Sequence, residues 1–149
     1  MAIILLDAGT SPVGLEALRA FPYPLTFAID PTRPDAAEAM SKYRSAGFEV
    51  MVLADFPQGA VASDVEQNMS VFLSRLPESV AVMDGTTTGL QSDKAVATQA
   101  TAMLKASGHG MVFLPKGLDT ARKLAQKEGV PAATVFRDFD RKDQDAPTI

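Results

Sequence analysis

Six short apolar runs recur along the chain, at Ile3–Leu6, Leu25–Ile29, Val50–Leu53, Val80–Met83, Met111–Leu114 and Ala132–Phe136. Each is followed by turn residues and then a helix-like pattern, the alternation that marks βα units. The runs are nearly continuous in apolar residues, as strands covered on both faces of a parallel sheet must be. The pattern predicts an α/β protein of alternating βα units around a mainly parallel, six-stranded sheet.

The intervening segments carry helix punctuation. Ser11-Pro12 supplies a cap and a first-turn proline, Leu15 and Leu18 form one apolar face, and Pro22 closes a short helix. A second helix starts at Pro34, with Ala36, Met40 and Tyr43 on a stripe and Gly47 at its end. Ser63 and Glu66 have capping-box spacing before a stripe of Val65, Met69, Phe72, Leu73 and Leu76. Ser92 opens a fourth helix that turns Val96, Ala100, Met103 and Leu104 inward and ends near Gly108. The fifth runs from about Leu118 to Glu128, buries Ala121, Leu124 and Ala125, and stops at Gly129. Periodicity then fails. Residues 1–137 are expected to form one domain and residues 138–149 a charged loop or tail.

Composition narrows the function classes. With 149 residues there is room for a single α/β domain, and 46% hydrophobic against 21% charged residues is globular composition. A net charge of -4 without a basic cluster leaves no electrostatic footprint for nucleic acid or anionic lipid. No stretch is long and apolar enough for a membrane span. The absence of cysteine removes disulfides, thiolate metal sites and a cysteine nucleophile, and leaves the compartment open.

In parallel α/β folds chemistry collects at the carboxyl ends of strands. Asp7, Asp30, Asp55, Asp84 and Asp138 follow five of the six runs, and Lys116 comes shortly after Leu114. Asp7, Asp55 and Asp84 are candidate ligands for a hard cation such as Mg²⁺ or Ca²⁺, which takes oxygen donors. Aspartate also caps helices and tolerates turns, so each has a structural reading too. Thr86, Thr87 and Thr88, between Gly85 and Gly89, together with Lys116, are candidate substrate-binding residues. The segment lacks the spacing and lysine of a P-loop. His109, the single histidine, precedes the fifth run and so belongs to the opposite edge, which removes a typical zinc site and a Ser-His-Asp triad. No residue is assigned a catalytic role, and no cofactor beyond a divalent cation is indicated.

Three stretches carry a resemblance: Ile3-Ile4-Leu5-Leu6-Asp7-Ala8-Gly9; Ala46-Gly47-Phe48-Glu49-Val50 leading to Leu53-Ala54-Asp55-Phe56-Pro57; and Glu128-Gly129-Val130-Pro131-Ala132-Ala133 leading to Phe136-Arg137-Asp138. They resemble the divergent polysaccharide deacetylases, a branch of the distorted (β/α) barrel carbohydrate esterases. The resemblance implies an incomplete or distorted barrel, a glycan ligand, and a periplasmic or membrane-anchored place in the bacterial envelope. It also implies a metal held by one aspartate and two histidines. Of the aspartate pair expected on the first strand only the second is present, as Asp7 beside Leu6, while the histidine positions are filled by Ala54 and Gly85. Two missing imidazoles remove most first-row transition-metal affinity. The resemblance further implies βα units beyond the sixth strand, hence a missing C-terminal part, an exposed sheet edge and a homodimer through that edge.

Three functions follow as expectations. The first is a non-catalytic or weakly active deacetylase-like module that binds envelope glycans. The second is an active carbohydrate N-deacetylase with a site rebuilt from Asp7, Asp55 and Asp84. The third is a phosphoacceptor receiver, because Asp7, Asp55, Thr86 and Lys116 occur in a receiver's order.

Overall fold

The computed structural model describes residues 2–7, 9, 14–115 and 119–138. All six apolar runs form strands, β1 (Ile3–Asp7), β2 (Leu25–Ile29), β3 (Glu49–Ala54), β4 (Ala81–Asp84), β5 (Gly110–Phe113) and β6 (Ala132–Thr134). They alternate with helices α1 (Leu15–Arg19), α2 (Ala36–Ser45), α3 (Ala62–Arg75), α4 (Lys94–Ser107) and α5 (Thr120–Lys127). Every pairing is parallel and the spatial order equals the chain order, so the sheet curls into a half-barrel whose outer strands, among the described residues, are β1 and β6.

Sequential order has a consequence for layering. Crossovers of one hand between successive neighbours put every helix on the same side of the sheet. One face of the strands, with Phe27, Ile29, Val50, Val52, Val82 and Phe113, packs with the helices into the main core. The other face forms a second cluster drawn from strands and strand ends alone, around Ala28, Met51, Ala81, Met83 and Leu114. This arrangement overturns the receiver expectation, because a receiver is doubly wound, with helices on both faces and a reversal in strand order.

The helices keep their sequence-predicted faces but shift their caps. Val65, Met69, Phe72 and Leu76 are buried along α3. The anticipated Ser63–Glu66 box is displaced by two residues: the Asp64 carboxylate accepts the Val61 amide at 3.0 Å, and Ser63 lies inside the helix. In α4 the cap is Asp93 rather than Ser92, its Oδ1 accepting the Val96 amide at 2.8 Å. Gly108 ends α4 with φ of 81°, where a side chain would be strained. The anticipated caps at Ser11, Pro12 and Leu118 and the tail from 139 onward lie outside the described residues. No helix among the described residues is long and apolar enough to cross a membrane.

Candidate functional site

The carboxyl ends of β1 to β4 hold the aspartates anticipated from the sequence, but the pleat divides them between two faces. Side chains two apart along a strand share a face. Asp7 follows Ile3 and Leu5, which pack toward the helices, and Asp84 follows Val82 in the same way. Asp55 instead continues the face of Met51 and Leu53, which lines the concave side.

Asp7 is fixed on the helical side. Its Oδ1 accepts the Gly9 amide at 2.8 Å and meets Nη1 of Arg33 at 3.0 Å, and its Oδ2 accepts the Tyr43 hydroxyl at 2.9 Å. Arg33 also donates to the Asp7 carbonyl at 3.0 Å and reaches Asp35 at 2.7 Å. Burial by itself would raise the Asp7 pKa, but donation from Gly9, Tyr43 and Arg33 outweighs it and holds the carboxyl below its ordinary value. Burial, reinforced by the same contact with Asp7, pushes the Tyr43 phenol well above its ordinary range. An open cavity of about 450 Å³ lies beside this network, between α1 and α2, with Leu15, Leu18 and Ala39 as its apolar wall.

Asp84 is fully buried. Its Oδ2 accepts Nε2 of Gln91 at 2.7 Å and the Leu114 amide at 3.3 Å, while Oδ1 has no hydrogen-bond partner among the described residues. Gly89 packs so closely on Oδ1 that a Cβ there would collide with it. Gln91, which sequence reasoning passed over, joins Asp84 to the Leu114 carbonyl at 2.7 Å and thereby ties the segment after β4 to β5. A half-buried glutamine seven residues after a strand-end aspartate leaves no period in the sequence that would reveal the pairing.

Asp55 reaches across to the loop after β4, where its Oδ1 accepts the amides of Thr87 and Thr88, each at 3.0 Å. Two further bonds tie the loops: Phe56 donates to the Thr88 carbonyl at 2.8 Å, and the Thr88 hydroxyl donates to the Phe56 carbonyl. Thr86 and Thr87 are exposed and Thr88 is half-buried. Lys116 lies outside the described residues. His109 sits just before β5, at the other end of the sheet, with Nδ1 2.7 Å from the Ser107 hydroxyl. Burial pushes its pKa down against a hydrogen bond to the Ser79 backbone.

The structure thus does not gather Asp7, Asp55 and Asp84 into one ligand set. Among the described residues no three His, Cys, Asp or Glu side chains group as a metal site would require. The residues beside Asp55 and Asp84, Ala54 and Gly85, carry no ligating atom on their side chains. This donor set does not fit a hydrolytic transition metal.

The family model for divergent polysaccharide deacetylases matches residues 3–149. The chain belongs to that family. Among solved structures, the uncharacterized protein ATU2773 from Agrobacterium tumefaciens C58 superposes with a TM-score of 0.67 at 17% identity, covering 93% of this chain and 63% of that one. A xylose isomerase domain protein from Planctomyces limnophilus superposes with a TM-score of 0.50 at 16% identity, covering 89% of this chain and 60% of that one. At such identities the likeness is one of fold. The deacetylase-family chain spans less than two thirds of the length of either structure. No curated protein gives a significant match.

Proposed function

We propose that this divergent polysaccharide deacetylase binds envelope glycan without hydrolysing it. The observation that carries the reading is the commitment of its strand-end carboxylates to the chain's own donors. Asp7 is ion-paired with Arg33 and accepts the Tyr43 hydroxyl, and Asp84 is buried behind Gln91 and the Leu114 amide. Removing an N-acetyl group requires an electrophile on the amide carbonyl and a base for the attacking water. A carboxylate held ionised by a guanidinium and a phenol is a poor base, because its proton affinity is already lowered.

The test is acetate release from N-acetylglucosamine oligomers by the full chain, alongside calorimetric titration of the same oligomers. Binding without acetate release is expected. Acetate release that Asp7→Ala abolishes would sink the reading. The proposal includes self-association through β1 or β6, the outer strands among the described residues, since strand edges of low charge pair readily with another copy.

A further inference from the structure

The segment from Gly85 to Gln91 is braced on both sides at the carboxyl edge. On one side Asp55 Oδ1 holds the Thr87 and Thr88 amides, and Phe56 and Thr88 exchange two further hydrogen bonds. On the other, Gln91 Nε2 is shared between Asp84 and the Leu114 carbonyl. Two glycines permit the fit. A Cβ on Gly85 would collide with Asp55 Oδ1 and the Ala54 carbonyl, and a Cβ on Gly89 would collide with Asp84 Oδ1. Binding residues are commonly carried on loops that a rigid scaffold positions, and such support limits the entropy lost on association.

The outward side of the pinned loop has unused hydrogen-bonding capacity. Among the described residues the hydroxyls of exposed Thr86 and Thr87 make no hydrogen bond, and neither does Oδ2 of Asp55. We infer that Asp55 is the positioning residue of a saccharide-contact loop, in which the Thr86 and Thr87 hydroxyls meet the hydroxyls of a neutral glycan.

Chemistry selects a neutral polyol over an anion. Residues 85–93 contain no Lys or Arg. The two successive amides that could cradle a phosphate are already filled by the Asp55 carboxylate, which acts as a built-in anion. Threonine hydroxyls both donate and accept, which matches vicinal sugar hydroxyls.

The inference rests on the glycan-binding reading, and its test separates the two. Calorimetry with an N-acetylglucosamine tetramer and amide hydrogen exchange are applied to the full chain and three variants. Replacing both threonines by valine (Thr86→Val, Thr87→Val) removes surface hydroxyls only and should weaken binding about tenfold, the loss of two ordinary hydrogen bonds. Asp55→Ala should weaken binding by a similar factor and speed exchange at Thr87 and Thr88. Asp55→Asn keeps an acceptor oxygen for both amides and should bind within about threefold of the parent, a rescue that bulk destabilisation would not produce. If the parent binds and the valine pair or Asp55→Ala binds equally well, the inference is overturned while the glycan reading stands. If the parent does not bind, both fall. Should Asp55→Ala fail to fold, the valine pair and Asp55→Asn decide the matter.

Discussion

The hydroxyl of Tyr43 lies 2.9 Å from Oδ2 of Asp7, while its ring stacks on Phe27 at 3.9 Å and 4°. One side chain from α2 thus joins the polar end of β1 to the apolar core over β2. Tyr43→Phe keeps the stack and deletes the donor. It should cost about 1–2 kcal/mol, a hydrogen bond to a charged acceptor, measured by urea denaturation. An unchanged midpoint would show that the contact contributes nothing.

Asp7 also predicts an acid limb. Its folded-state pKa lies below the ordinary value, so its contribution is present above the unfolded carboxyl pKa and is lost as pH falls through the folded value. Asp7→Asn removes that contribution and leaves Arg33 facing an uncharged partner. Its stability deficit relative to the parent should be largest near neutral pH and shrink below pH about 4. A deficit independent of pH between 2 and 7, by denaturation at stepped pH, would rule the ion pair out as its source.

Asp84 should be intolerant of truncation for structural reasons alone. Asp84→Ala strands the Leu114 amide and leaves Gln91 with only the Leu114 carbonyl, at a cost of about 2–3 kcal/mol. Gly89→Ala should cost a similar amount by forcing Asp84 aside, about 1–3 kcal/mol. The two losses should be non-additive in a double-mutant cycle. Independent, additive losses would mean that the packing of Gly89 on Asp84 is energetically unimportant.

Divalent cations should leave the protein indifferent. Thermal midpoints with chelator, Mg²⁺, Ca²⁺ and Zn²⁺ are expected to coincide, since a cation that bound the folded state would stabilise it by mass action. A midpoint raised by one cation, and lowered again by Asp55→Asn or Asp84→Asn, would revive a site rebuilt from carboxylates.

Self-association makes a surface prediction. Leu6 is 40% exposed on edge strand β1, where a lysine would oppose strand pairing. Light scattering across a concentration series should show a dimer that Leu6→Lys converts to monomer. A parent that remains monomeric at high concentration would end that part of the proposal.

The fold was largely legible because parallel strands announce themselves as apolar runs and amphipathic helices by period. Met40 and Tyr43 on α2 are buried as their stripe requires, and so are Val65, Met69 and Phe72 on α3. Caps were less so. Ser63 and Ser92 are good cap residues by type, but Asp64 and Asp93 lie at the positions from which a carboxylate reaches a free helix amide.

The candidate site divides along the same line. Sequence alone determined that Asp7, Asp55 and Asp84 stand at strand ends, since each closes an apolar run. It could not determine which way they face, because strands covered on both sides carry no period-two contrast between apolar and polar positions. Only the curled sheet, with every helix on its convex side, turned Asp7 toward Arg33 and Tyr43 and left Asp55 on the concave side under Thr87 and Thr88. Partners 26 to 36 residues apart are chosen by strand register and curvature, which pairwise residue types along a chain do not encode.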